Sequence, residues 1–435
     1  MISLEPYQRL VAKTNPLRCV GRVTKVVGLT VEVAGLNVPV GELCLIENKG
    51  SGQVVQAEIK GFRDHTSLLM PLGELEGIGP GCPVLPTGRY HTVAVGLELL
   101  GRVVDGLGQP MDGRELVTSG GNYPVDNHPP DPLARQRINT ILPTGVRAID
   151  AFLTLGRGQR IGIFAGSGVG KSTLMGMIAR NSEAEINVIG LIGERGREVL
   201  DFLERDLGPA GLARSVVVVA TSDQPALVRI KGAFVATAIA EYFRDQGRHV
   251  MLMMDSLTRF AMAQREVGLA IGEPPTSRGY TPSVFALLPR LLERAGNTRT
   301  GSITGLYAVL VDGDDLTEPI TDAVRAIVDG HIVLSRKLGD RNHYPAIDIL
   351  ASVSRLMPDI TSKEHQDLAA QVRDSLAAYQ SAEDLINIGA YQAGNNPRVD
   401  AALKYYEPIM TFLKQDVEVY SSFAGTIGEL QKLFN

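Results

Sequence analysis

Between about residues 140 and 350 the chain carries apolar runs at Ile161–Phe164, Val188–Ile192, Val216–Ala220, Val250–Met254, Ile303–Val311 and Ile332–Leu334, with helix-period segments between them. Strands apolar on both faces that alternate with helices predict a parallel sheet covered by helices on both sides. Upstream, from about 18 to 90, the period shortens to two. β-branched runs such as Arg22-Val-Thr-Lys-Val-Val and Val54-Val-Gln-Ala-Glu-Ile are broken by Gly, Asn-Lys-Gly and Gly-Pro-Gly turns, which predicts a small β-barrel. The segment Tyr123-Pro-Val-Asp-Asn-His-Pro-Pro-Asp-Pro is too proline-rich to continue a helix and reads as an extended bridge.

After Pro358 the strand signals stop. Thr361-Ser-Lys-Glu364 reads as a capping box, and Leu368, Val372, Leu376 and Tyr379 follow at near-3.6 spacing. Gly394 and Pro397 separate this helix from one carrying Val399, Leu403 and Tyr406. At the other end Leu4, Tyr7, Leu10 and Val11 share one helical face, a short docking helix. The expected organisation is a docking helix over 1–17, a β-barrel over 18–90, an α/β domain over 91–357 and an α-helical domain over 358–435.

The run Ile161–Phe164 enters Ala165-Gly166-Ser167-Gly168-Val169-Gly170-Lys171-Ser172-Thr173, and Leu174-Met-Gly-Met-Ile-Ala continues as a helix. A glycine-rich loop between a strand and a helix points several backbone N–H groups at one place and adds the positive helix terminus. That is a phosphate cradle, in which Lys171 reaches the β/γ-phosphates of ATP and the Ser172 hydroxyl takes a place on Mg²⁺. Ala165 stands where the pattern's first glycine is usual. A plain glycine loop between a core strand and a core helix is the alternative.

An ATPase also needs an acid on the metal side and a group to orient and deprotonate water. Asp255 ends the apolar run Val250–Met254, where ligand sites of open α/β sheets lie; the alternative is an aspartate capping the next helix. Glu194, at the end of Ile189-Gly-Leu-Ile-Gly, is the candidate base, with Arg195 the nearest charge to hold it or the γ-phosphate. A solvated Glu–Arg salt bridge is the alternative there. Ser172, Glu194 and Asp255 form the candidate metal set.

Composition narrows the classes. Hydrophobic residues at 44% and charged residues at 21% suit a soluble globular enzyme, and a net charge of −5 gives no basic field for nucleic acid. Residues 1–90 hold nine Lys/Arg against eight Asp/Glu with only three aromatic rings, so the barrel lacks the basic, stacking groove of a strand-gripping RNA translocase. Cys19, Cys44 and Cys82 match no metal spacing and read as reduced, buried thiols of a cytosolic protein. No apolar run approaches the ~20 residues of a membrane span, and the start shows no secretory signal.

The ordered blocks AGSGVGKST, IGERGREV, MMDSLTRF, GEPPTSRGYTPSVFALLPRLLERAG, DGDDLTEPITDAVRAIVDGHIVLSR and YPAIDILASVSRLM, following the barrel, resemble the rotary-ATPase catalytic subunits and type III secretion ATPases over nearly the whole chain. The resemblance implies a multidomain chain: N-terminal β-barrel, central RecA-like P-loop parallel sheet and C-terminal α-helical domain. It implies that Glu194 is the catalytic base, Asp255 the metal-side acid, Arg259 a γ-phosphate partner and Arg355 an arginine finger inserted into the neighbouring subunit's site. Tyr344 and Phe423 fall where the family packs rings against adenine.

Within the family, LIGERGREVLDFLERDLG and VVVATSDQPALVR are similar to flagellar export ATPases, whereas SRKLGDRNHYPAIDIL is shared with injectisome ATPases. Flagellar export is the favoured expectation, with an injectisome ATPase as the alternative and a non-catalytic nucleotide-binding ring subunit as the alternative of another class. Glu194 argues against the last, since such subunits usually lack that acid. The implied partners are a homohexamer, a stator-like regulatory dimer, a central stalk-like coiled coil, the export gate at the inner membrane and chaperone–substrate complexes. The implied location is cytoplasmic, at the inner face of the membrane.

Overall fold

Side-chain alternation closes the first body. Buried and exposed residues alternate along β1 (Gly21–Val27) and β3 (Leu43–Glu47), and with β2 (Thr30–Ala34), β4 (Val54–Arg63), β5 (Thr66–Pro71) and β6 (Pro83–Pro86) they form a closed antiparallel barrel in the order β1-β2-β5-β4-β3-β6. Val23, Val31, Val33, Ile46, Ile59, Leu69 and Val84 fill it, together with Cys44 and Cys82. Cys19 corrects the expectation of three buried thiols: it precedes β1, outside the alternation, and is exposed. Burial pushes the Cys44 thiol up to about 12, which leaves it inert.

The computed structural model describes residue 4 and residues 19–48, 50–115, 117–311, 313 and 315–434, so the docking helix expected over 1–17 lies, Leu4 apart, outside the described residues. A two-stranded ribbon of β7 (Thr92–Ala94) and β9 (Asn122–Pro124) follows the barrel. The central sheet holds β8 (Arg102–Asp105), β10 (Arg160–Ala165), β11 (Ile186–Ile192), β12 (Ser215–Ala220), β13 (His249–Asp255), β14 (Gly296–Asn297), β15 (Ser302–Leu310), β16 (Gly330–Leu334) and β17 (Ile347–Ser354). Their order is β17-β16-β10-β15-β13-β11-β12-β8, with the short β14 paired to β15.

Each apolar run named above is a strand of this sheet, and its pairs are parallel except β17 on β16 and β14 on β15. Helices pack on both faces around two apolar cores. Because β10 leads to β11 three places along the sheet, β15 and β13 fill the gap. That reversal opens a crevice at the carboxyl ends of β10, β13 and β11.

The proline-rich segment is fastened by buried charge. Lys231, on the helix Ala226–Asp245, meets Glu58 of β4 and Asp126 at 2.7 Å each. Arg294 pairs with Glu241 at 2.6 Å, both side chains fully buried, and donates to the Val125 carbonyl at 2.8 Å. Removing one member of such a pair strands the other charge. Glu241→Leu is therefore expected to destabilise the fold by about 3–5 kcal/mol, read as a lowered urea midpoint at unchanged slope. A loss of under about 1 kcal/mol, typical of an exposed pair, would show that Arg294 finds other solvation.

The C-terminal helices are Lys363–Asn387, Pro397–Leu413 and Phe423–Lys432; the first two pack through the stacked rings of Tyr379 and Tyr406, 3.6 Å apart. The expected capping box is shifted by one residue. Ser362 is the N-cap and accepts from His365 N, so Glu364 is not the reciprocal partner and instead accepts from Gln431.

Candidate active site

The loop after β10 is shaped by backbone that only glycine adopts without strain. Gly168 and Gly170 have φ of 77° and 93°, and Gly170 is the N-cap of the helix Lys171–Asn181 with no side chain capping it. Val169 is buried in the core and anchors the loop, whereas Ser167 and Gly168 face outward. The uncapped N–H groups of Lys171, Ser172 and Thr173 therefore remain for an anion. Ala165 pairs with Leu310 and Leu334 and is buried, a place where a methyl group fits.

Three charges converge beside this loop. Lys171 Nζ forms a close ion pair with Asp255 Oδ1 and lies 3.9 Å from Glu194 Oε1. Asp255 is the last residue of β13; Ser256, not Asp255, caps the next helix, Leu257–Ile271, by accepting from Arg259 N at 3.4 Å. The capping alternative for Asp255 is thereby removed.

Glu194 follows Gly193, whose φ is 73° and whose N–H bonds to the Ala220 carbonyl at 2.6 Å. A Cβ at Gly193 would come within 2.6 Å of Arg259 Cβ, so the glycine lets Arg259 pack against the turn that presents Glu194. Glu194 Oε1 and Arg259 Nε are both buried without a hydrogen-bond partner. Leaving a buried polar atom unpaired costs about 1–3 kcal/mol, and here two of opposite polarity, Oε1 near Lys171 and Nε on the side chain packed against the Gly193 turn, are left for a ligand to meet. Burial first, and Asp255 second, push the Glu194 carboxyl up to about 8 against the pull of Lys171.

The solvated salt bridge is excluded for Glu194. Arg195, whose side chain is 76% exposed, pairs with Glu198 at 3.3 Å instead of holding Glu194. Arg195 therefore does not hold Glu194: N-terminal to the helix Gly196–Asp201, its side chain is drawn outward to the carboxylate three residues on.

Tyr344 lies at the loop end of the sheet, where Leu334 pairs with Ile347, and its ring would meet a Cβ on Gly170 at 3.6 Å. Phe423 begins the last helix with its ring edge-on to His365, 5.9 Å away; the His365 ring is within 2.7 Å of the Ala151 carbonyl. Arg355 lies at the other end of the sheet. Its N–H bonds to Asp329 O at 3.0 Å, and Asp329 is bound to Arg160, the first residue of β10. β10 runs five residue steps from there to the loop, so at about 3.3 Å per residue Arg355 stands roughly 17 Å or more from its own Lys171.

A cleft of about 440 Å³ beside the loop helix is lined by Thr173, Asp201, Arg205, Asp206, Val417 and Glu418. Val417 carried no signal in the sequence: it lies between helices, far along the chain. A larger hollow of about 1440 Å³, lined by Glu42, Tyr90 and His91 among others, lies against the barrel, so size alone does not locate the chemistry. Among the described residues no group of three or more His, Cys, Asp or Glu could cage a metal. The donors present, Ser172 with the Asp255 and Glu194 carboxylates, suit a hydrated cation that arrives with phosphates.

A glycine-rich phosphate loop on a mostly parallel sheet, with a lysine and two acids at adjoining strand ends, defines a nucleotide-binding ATPase of the P-loop class. The chain matches the ATP synthase alpha/beta family in its beta-barrel domain over residues 23–88 and its nucleotide-binding domain over 145–354, and the T3SS EscN ATPase C-terminal domain over 361–432. It is 54% identical over 421 residues to the "Flagellum-specific ATP synthase" of Bacillus subtilis, covering 97% of this chain and 96% of the relative. It is 51% identical over 407 residues to the "Type 3 secretion system ATPase" of Xanthomonas euvesicatoria, covering 94% and 92%. Among solved structures it is similar to the assembled ATPase EscN in complex with its central stalk EscO from the enteropathogenic E. coli type III secretion system. The TM-score is 0.88 at 45% identity, over 95% of this chain and 100% of that one. The chain belongs to the family of flagellum-specific ATP synthases and type 3 secretion system ATPases.

Proposed function

We propose that this chain is a Mg²⁺-dependent ATP hydrolase that energises and unfolds substrates for type III protein export, in the flagellar pathway. The observation that carries the proposal is Lys171 held between Asp255 and Glu194 at the mouth of the phosphate loop, with Glu194 Oε1 and Arg259 Nε buried and unpaired. In that arrangement the loop N–H groups and Lys171 bind and orient the phosphates. Glu194 orients water and takes its proton, and Arg259 supplies a donor to the γ-phosphate. Ser172, Asp255 and Glu194 are the residues that would hold Mg²⁺, which would neutralise charge on the phosphate oxygens. Tyr344 and the cleft at Thr173 and Val417 take the nucleoside, with Phe423 as the second ring that the family resemblance assigns to adenine.

The flagellar reading is supported by the flagellum-specific relative at 54% identity and by the two flagellar-like segments; the injectisome reading by the relative at 51%. Assembly as a homohexamer around a central stalk is supported by the solved relative that carries those words, assembled and with its central stalk. A stator-like dimer bound through residues 1–17, the export gate and chaperone–substrate complexes complete the proposed partners, with no nucleic acid. Among the described residues no helix is long and apolar enough to cross a membrane; peripheral attachment to the cytoplasmic face of the membrane is part of the proposal and rests on the family resemblance.

Lys171→Ala tests the site. It removes the fixed counter-cation of the phosphates and is expected to cut ATP hydrolysis by about 10²–10³ with unchanged circular dichroism. Near-normal turnover in that variant refutes the assignment.

A further inference from the structure

Between the helices Pro397–Leu413 and Phe423–Lys432 the chain crosses back over the central domain, and one buried side chain there has its donors fully engaged. Gln415 Oε1 accepts from Arg147 N at 2.8 Å, Nε2 donates to Gly145 O at 2.8 Å and to Val419 O at 2.7 Å, and its own N–H donates to Tyr344 O at 3.0 Å. Both partners of Nε2 are carbonyls and the partner of Oε1 is an N–H. The amide orientation is therefore dictated by its surroundings, and both amide protons are bonded.

Each strut ends on a part of the nucleotide site. The Tyr344 ring faces Gly170 of the phosphate loop. The bond to Val419 folds residues 416–419 into the wall whose Val417 and Glu418 line the 440 Å³ cleft opposite Thr173, and Arg180 of the loop helix donates to Val417 O at 2.8 Å from the other side. Gly145 is the fixed point. Asp150 accepts from Thr144 N at 2.9 Å and Gly145 N at 3.0 Å, and a Cβ on Gly145, whose φ is 75°, would come within 2.6 Å of Asn181 Cβ at the end of the loop helix. Gln415 thus ties Tyr344, through its backbone N–H, and the Val417 wall, through its side-chain amide, to the turn at Gly145 that packs on the helix beginning with Lys171.

We infer that Gln415 is a positioning residue for the nucleoside: it sets the separation of Tyr344 and the Val417 wall, and so governs nucleotide affinity without touching the phosphates or the hydrolytic groups. The inference rests on the nucleotide reading above. Arg180 braces the wall alone, bonding to the carbonyls of Val417 and Asp206, whereas Gln415 meets both the wall and the Tyr344 carbonyl.

The test uses the full chain, steady-state ATP hydrolysis and ADP binding by calorimetry. Gln415→Met keeps the length and burial of the side chain but has no amide, and it is expected to raise KM for ATP and Kd for ADP about tenfold while kcat stays within twofold. Gln415→Glu keeps the acceptor for Arg147 and turns the other arm into an acceptor facing two carbonyls, so a rise at least as large is expected. In a Tyr344→Ala background the Gln415→Met penalty should shrink to under threefold, since the ring that it positions is gone. A fall in kcat matching the rise in KM, an additive double variant, no change at all, or unfolding of both Gln415 variants each overturns the inference and leaves Gln415 a structural residue. A wild-type chain that neither binds ADP nor hydrolyses ATP overturns the nucleotide reading instead.

Discussion

Glu194→Gln is expected to retain ATP and lose its hydrolysis by about 10²–10⁴. Glutamine preserves the size and the hydrogen-bonding reach of the side chain, and the phosphate-binding parts, Lys171 and the loop N–H groups, are untouched. What disappears is the basic carboxylate. The pH dependence carries a second signature. With its carboxyl raised to about 8 by burial and by Asp255, Glu194 is protonated in the free protein at neutral pH and cannot accept a proton from water. kcat/KM, which reports the free enzyme, should therefore climb as pH rises through about 8, and this limb should vanish in Glu194→Gln.

Stability moves the opposite way. A carboxyl whose folded value lies above its unfolded value holds its proton more firmly in the folded state, so stability is greatest below the ordinary carboxylate range and declines as pH rises from there to about 8. Glu194→Gln should flatten that decline in a series of urea melts without nucleotide. Parallel losses of ATP affinity and turnover, with the pH limb intact, would make Glu194 a structural residue.

How much of this was legible beforehand follows from which interactions are local. The six runs between Ile161 and Leu334 read as strands because burial on both faces leaves almost no polar position, Thr304 excepted, and each falls on a strand of the central sheet. β8 carries no strand signal of its own, since Arg102–Asp105 is four residues long and carries charge at both ends. It becomes a strand only by pairing with β12. β17 was read as a motif and not as a strand, because Asp348 and two serines interrupt its apolar pattern at an edge where one side is open.

Of the site, Lys171 and Asp255 follow from local signals: a loop with a positive helix end, and an acid closing an apolar strand. That Arg195 does not hold Glu194 could not be read from the chain, because a neighbour in sequence need not be a neighbour in space. Its partner is Glu198, one turn of helix away. Gln415 and Val417 gave no signal, since a side-chain amide bonded to three separated backbone groups leaves no periodicity.

Arg355→Ala is expected to lower ATP turnover by about 10³–10⁵, the range for an arginine that neutralises transition-state charge, while leaving ADP affinity nearly unchanged. The topology dictates whose site it serves. β17 runs antiparallel to β16, with Ser354 opposite Gly330, so the chain emerges at Arg355 at the amino end of β10, the end away from the phosphate loop. A guanidinium there cannot span the roughly 17 Å or more to its own Lys171, and its Nη2 rests on the Arg325 carbonyl at 3.3 Å. If Arg355 acts as a finger, it acts in a neighbouring copy, and specific activity should rise cooperatively with protein concentration as rings assemble. Mixing Arg355→Ala with Lys171→Ala makes the test sharp, because each variant lacks a different half of a composite site. At interfaces where a Lys171→Ala subunit donates its arginine to the intact loop of an Arg355→Ala subunit, hydrolysis should return. Mixed rings that form, as seen by mass photometry, and stay as inactive as their components would place the role of Arg355 within its own chain, as a brace on Arg325 and Asp329 and not as a catalytic group.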